Sequence, residues 1–201
     1  MQYGFTAIGV IAWGYSATVW TSARIYQEHN SRLFDQELKL KNRAAIPRVA
    51  AVPKAGGLVG RLEIPRIGVS VMVVEGAERH DLERAVGHVP GTALPGQLGN
   101  VAIAGHRDTY FRSLAAIRLG DTISVSTLTG SYRYRVTATS IVSPGDAAVL
   151  YPTGRDTLTL LTCYPFYYVG AAPRRFIVRG VQVPPEDLVR QNISASRFHR
   201  Q

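Results

Sequence analysis

Beyond about residue 57 the chain is a succession of short apolar runs separated by turn residues, and each run predicts a strand. Arg61 to Pro65 and Val69 to Val74 are rich in Val and Ile. Asn100 to Gly105 follows a Gly99-Asn100 turn, and Thr122 to Leu128 alternates before Thr129-Gly130. Tyr132, Tyr134 and Val136 alternate with Arg133, Arg135 and Thr137, the period of two that lines one face of a sheet. Thr157 to Thr162 and Arg175 to Val183 complete the set. Helical patterning is sparse. Asp81 to Val86 and Thr109 to Ile117 each hold a turn or two, with Asp81 and Thr109 as suitable N-caps. The reading is a mainly-β fold, either a closed barrel or a sandwich.

The first part of the chain has a different pattern. Met1 to Ala23 carries no charged side chain, and Tyr3 to Ala23 is long enough for a spanning helix of about 20 residues. Gly4, Gly9, Gly14, Thr6, Ser16 and Thr18 dilute its apolar character, while Trp20 and Tyr26 suit an interfacial belt. Residues 1–23 are therefore expected to form a membrane anchor, with no basic n-region of a cleaved signal peptide. Arg24 to Lys41 reads as a short, imperfect amphipathic helix, and Asn42 to Gly60 as an Ala/Pro/Gly-rich linker. The expected organisation is an anchor at 1–23, a juxtamembrane helix and linker at 24–57, a folded β domain at 58–185 and a polar, basic tail at 186–201. The basic flank after the span would by itself keep that side cytoplasmic. Large domains translocate despite such charges, and the folded domain is expected outside.

Composition narrows the function. With 46% hydrophobic and 18% charged residues the chain is able to build a core and is not a disordered polymer. Its net charge of +9 is scattered, without a helix-turn-helix, zinc-finger or RNA-binding signature, so nucleic acid is not an expected partner. A basic surface suits an anionic envelope instead. No acidic spacing forms a calcium loop, and one cysteine builds neither a disulfide nor a Cys-rich zinc site. No metal and no cofactor is expected.

That one cysteine, Cys163, ends the strand-like run Thr157 to Thr162 just before Tyr164-Pro165. Pro165 has no amide proton for the ladder, so the strand should stop at the thiol and hold it at a loop boundary. A thiolate needs a nearby cation or donor. His106 follows the run Val101 to Gly105, and Arg174-Arg175 opens the next strand. Neighbouring strand residues face opposite sides, so only one arginine points at the sulfur. Arg175 is the favoured one.

Thr159-Leu160-Leu161-Thr162-Cys163 resembles the Thr-Leu-x-Thr-Cys signature of the sortase family. His106 and Arg175 stand where that family has its catalytic histidine and arginine, and Gly87-His88-Val89-Pro90-Gly91-Thr92-Ala93 and Cys163-Tyr164-Pro165-Phe166 resemble the class D branch. The resemblance spans roughly Gly60 to Val183. It implies an eight-stranded sortase-type β-barrel with its site at one rim. Cys163 would be the nucleophile, His106 the proton-transfer residue and Arg175 the carbonyl stabiliser. It implies cleavage of a Leu-Pro-x-Thr-Gly-like sorting signal through a thioacyl enzyme. Transfer would follow to an amine of a cell-wall precursor or a pilin lysine, at the cell surface. Thr162, Tyr164 and His88 are further candidates for contacting substrate.

Two other functions fit the same residues. A cysteine peptidase would resolve the thioester with water, and a tethered binding module would carry an inert, buried Cys163. Asp108 is close enough in sequence to orient His106, though capping the following turn is the plainer role. His88 is the main rival to His106 as the catalytic imidazole, and it otherwise shapes a loop near the site.

Overall fold

The computed structural model describes residues 2–44, 53–168 and 170–184. Eight strands close into one barrel in the order β1-β2-β3-β4-β7-β8-β6-β5. They are β1 (Leu58–Ile64), β2 (Val69–Glu75), β3 (Val86–His88), β4 (Asn100–Ala104), β5 (Thr122–Ser126), β6 (Ser131–Val142), β7 (Thr157–Tyr164) and β8 (Arg174–Gln182). A long helix α1 (Gln2–Ala44) precedes the barrel, and α2 (Arg79–Leu82) enters β3. Short 3-10 turns at Pro65–Ile67, Arg112–Ala116 and Ala147–Leu150 punctuate the loops. The expected polar tail at 186–201 lies outside the described residues.

Closure explains the core. Leu62, Ile64, Val71, Val73, Ile103, Ile123, Val125, Leu158, Leu160 and Val178 alternate along their strands and meet inside the barrel, each at most 3% exposed. Such a closed sheet leaves no free edge. Two departures from the expected pattern have local causes. Val86, expected to end a helical turn, instead opens the strand Val86–His88, which pairs in parallel with β2 and antiparallel with β4. Only three residues long, it shows no period. A Cβ on Gly87 would lie 2.0 Å from the Gly76 carbonyl oxygen, so the backbones touch there. Neither expected N-cap is realised: α2 is capped at Glu78, Asp81 lies buried inside it, and the Arg112–Ala116 turn is capped at Phe111.

Helix α1 continues without a break from the uncharged stretch into its polar continuation, because no Gly or Pro interrupts residues 15–44. The helix runs through, and its later turns dock on the barrel. Phe34 is 1% exposed, and the Arg61 guanidinium stacks on its ring at 5.3 Å. Arg61 also donates to Asp35 at 2.9 Å. Gln27 accepts from the Met72 amide at 2.8 Å and donates to the Arg84 carbonyl at 2.7 Å. Among the described residues no helix is long and apolar enough to cross a membrane.

One ion pair links the β1–β2 turn to the segment entering β5. Arg66 donates to both oxygens of Asp121, at 2.6 Å for the Nη2–Oδ2 bond, and the Arg118 amide adds a third bond at 2.8 Å. The Arg66 hydrogen bond holds the Asp121 carboxyl below its usual range. A lowered folded pKa favours the folded state once the pH exceeds the unfolded value of about 3.9. We expect stability to decline as the pH falls from there through the folded value, and Asp121→Asn to flatten that part of the profile. Urea unfolding between pH 2 and 6 checks this.

Candidate active site

The register of three adjacent strands assembles the site. β4 and β7 are parallel, with Val101 opposite Leu158, Ile103 opposite Leu160 and Ala104 opposite Leu161. Opposite residues on parallel strands share a face. Val101, Ile103, Leu158 and Leu160 fill the barrel, so Ala102, Ala104, Thr159 and Leu161 lie on its outer wall. A Gly105 amide bond to the Leu161 carbonyl at 3.0 Å carries the ladder one residue further. Continued once more, it sets His106 level with Cys163 on that outer wall. On the other side β8 pairs antiparallel, with Cys163 opposite Arg175 and Leu161 opposite Ile177. All three candidate side chains thus stand on one face at one end of the wall.

That face is partly covered. A cavity of about 310 Å³ lies over it, lined by His106, Cys163 and Arg175. The lid is the connection from β6 to β7, which contributes Ser143, Pro144, Asp146 and Val149. Hydrogen bonds hold it down. The Asn100 side chain donates to the Val149 carbonyl at 3.0 Å, and Arg179 donates to the same oxygen at 3.1 Å. Asn100 is in turn fixed by the hydroxyls of Thr157 and Thr159, at 3.1 and 2.7 Å. Cys163, His106 and Arg175 are each half-buried, so reagents reach the thiol while the walls hold the side chains. Arg174, opposite Tyr164, is exposed and does not line the cavity.

Local packing fixes the approach to His106. Gly105 presses on the fully buried Phe111, where an added Cβ would come within 2.7 Å of the ring. The Thr162 hydroxyl donates to the Gly105 carbonyl at 2.7 Å. Thr162, expected to touch substrate, therefore lines the cavity while its hydroxyl is spent on the strand that delivers His106. Arg175 donates through Nη1 to the carbonyls of Arg174 and Ala172, at 3.0 and 3.3 Å, which curls its guanidinium back over its own strand.

Two other expected contacts lie away from the cavity. Tyr164 packs against Phe166 and Phe176 at 6.0 and 6.3 Å between centroids. His88 is 2% exposed, with Nδ1 at 2.7 Å from Glu75 and Nε2 at 3.0 Å from the Ala93 carbonyl. Its strand forms part of the barrel wall, and the imidazole that lines the cavity is that of His106, not His88. No hydrogen bond among the described residues joins Asp108 to His106; Asp108 instead lines a separate cavity beside α1. Sequence reasoning missed the β6–β7 lid. Its one signal was the Pro144-Gly145-Asp146 turn, which marks a loop and not a cover.

A closed β-barrel with a half-buried thiol, an imidazole and a guanidinium on one partly covered face defines a cysteine enzyme of acyl-transfer type. A family model described as the sortase domain matches residues 62–183. Sortase D of Bacillus subtilis (strain 168) is 38% identical over 132 residues, 65% of this chain and 67% of that protein. Sortase A of Bacillus anthracis is 27% identical over 163 residues, 77% of this chain and 73% of that protein. Among solved structures, a Clostridium perfringens Sortase D5 transpeptidase superposes with a TM-score of 0.65 at 28% identity, covering 82% of this chain and 99% of that one. Sortase C1 of Streptococcus suis gives 0.60 at 29% identity, covering 64% and 74%. The chain belongs to the sortase family and is a cysteine transpeptidase acting on peptide bonds.

His88→Ala leaves Glu75 without its partner in the barrel wall. We expect a stability loss of about 1–3 kcal/mol and an unchanged rate of Cys163 alkylation. Chemical denaturation and iodoacetamide kinetics on the folded variant measure the two. A slowed thiol with intact stability would return His88 to the site.

Proposed function

We propose that Cys163, His106 and Arg175 carry out a transpeptidation on a Leu-Pro-x-Thr-Gly-like sorting signal. The observation that carries this reading is the shared outer face of β4, β7 and β8, where the three side chains border one cavity. The Cys163 thiolate attacks the carbonyl carbon of the Thr–Gly bond. The resulting oxyanion accepts hydrogen bonds from the Arg175 guanidinium, whose planar fork suits a developing negative oxygen. As the tetrahedral centre collapses the C–N bond breaks, and the His106 imidazolium gives its proton to the departing amine. A thioester on Cys163 remains. An incoming amine attacks it, neutral His106 accepts the amine proton, and the C–S bond breaks to restore the thiolate. Thioesters react readily with amines, which suits this nucleophile to transfer.

The acceptor in this reading is the amine of a cell-wall precursor or a pilin lysine. The domain works at the outer face of the cell membrane, with the uncharged N-terminal part of α1 as its point of attachment. Protease added to spheroplasts should then digest the barrel, and protection would place it inside.

Incubation of the purified protein with a Leu-Pro-x-Thr-Gly peptide and triglycine, followed by mass spectrometry, tests the chemistry. The expected products are an acyl-enzyme on Cys163 and a peptide–triglycine conjugate. Cys163→Ala should abolish both while leaving the barrel folded. Arg175→Ala should lower kcat about 10²- to 10³-fold, the usual cost of one oxyanion donor. Arg174→Ala should change it little. Only hydrolysed peptide, with triglycine in excess, would favour a peptidase instead.

A further inference from the structure

We propose that Arg107 is a positioning residue for the His106–Cys163 pair, acting by clamping the turn after β4 to the loop after β7. The inference rests on the assignment of His106 and Cys163 above. The β4–β7 ladder gives out just before His106. Its last bonds are the Gly105 amide to Leu161 and the Thr162 hydroxyl to Gly105. From there β7 leads through Cys163 and Tyr164 into the loop at Pro165, while His106 enters a turn closed by the Phe111 amide on the His106 carbonyl at 3.0 Å. The ladder bonds on their own leave the spacing between imidazole and sulfur weakly held.

Arg107 fills that gap. Its Nη1 donates to the Pro165 carbonyl at 3.0 Å, and its Nη2 to the carbonyls of Tyr168 and Gly170 at 2.6 and 3.0 Å. Three backbone acceptors of one loop thus converge on a single guanidinium. Its carbon also lies 5.8 Å from the centre of the Tyr168 ring. None of the ion pairs among the described residues engages Arg107, so its charge is directed to those carbonyls. Charge-assisted bonds of this kind are about twice as strong as neutral ones. A second contact reinforces the clasp: the Arg112 guanidinium stands 5.7 Å from the Tyr167 ring. The residue after the imidazole is thereby fastened to the segment that begins two residues after the sulfur.

The planar fork is what lets one side chain serve three carbonyls, and an ammonium does not reproduce it. Arg107→Ala should reduce kcat for peptide transfer about 10- to 100-fold, as expected for a small misplacement of reacting groups. KM should stay within about threefold, because no ground-state contact to substrate is removed. The pH profile of Cys163 alkylation by iodoacetamide should move toward that of His106→Ala, with the melting midpoint nearly unchanged. Arg107→Lys should recover only part of kcat. Wild-type kcat and a wild-type alkylation profile in Arg107→Ala would overturn the proposal, as would a loss confined to KM. Should Arg107→Ala not fold, Arg107→Lys decides by the same readouts. Alkylation needs no sorting peptide, so it reports on Arg107 even if no such peptide is turned over. Failure of the transpeptidase reading would appear separately, as a wild-type protein that forms no acyl-enzyme.

Discussion

The pairing of β7 with β4 on one side and β8 on the other is the constraint on which the site depends. A strand has two neighbours, and register with each is fixed because slipping by one residue would turn Leu158 and Leu160 out of the core. Core packing therefore determines the outer wall as well. Once Leu160 is held between Ile103 and Val178, the positions of Cys163 and Arg175 follow, and His106 stands one residue past the last ladder bond, from the Gly105 amide to Leu161. Parallel pairing matters here. It delivers the ends of β4 and β7 to the same end of the barrel, where an antiparallel neighbour would have delivered a beginning instead.

The outer location of the site gives the rest of the fold its tasks. The barrel interior is packed with apolar side chains and offers no room for chemistry. A reacting peptide must bind on the wall, and a wall by itself excludes little water. The β6–β7 connection supplies the missing cover, pinned at Val149 by Asn100 and Arg179. The buried Asn100 is satisfied by Thr157, Thr159 and Val149, so a polar cluster beneath the lid carries no orphaned group of its own. At the other side, the loop after β7 is curled around Arg107. The reacting face thus lies between one loop held by the barrel wall and another held by the residue beside His106.

Docking of α1 shows a second way in which local and global demands differ. The uncharged start of the chain and its charged continuation read as two segments, yet from residue 15 to residue 44 the backbone meets no Gly or Pro. Continuous helix hydrogen bonding overrides the change in polarity. Burial of Phe34 and the bonds from Gln27 and Arg61 then tie the later turns to β1, β2 and the start of β3.

Seven of the eight strands, and the order of His106, Cys163 and Arg175 along the chain, were determined by the sequence itself. Period-two alternation and the Thr-Leu-x-Thr-Cys run express half-buried strands and a strand-end thiol directly. β3 was illegible because three residues carry no period. The last half of β6 was hidden because Thr137 to Ile141 are exposed, with Thr137 in a bulge and Ala138 to Ile141 paired with β8 alone, free of the alternation that burial imposes. Only the tertiary structure decided the separation of His88 from His106, the side of the wall that bears the site, and the lid over it. Each of these depends on which strands become neighbours, and neighbourhood is set by the closure of the whole barrel rather than by any short stretch of residues.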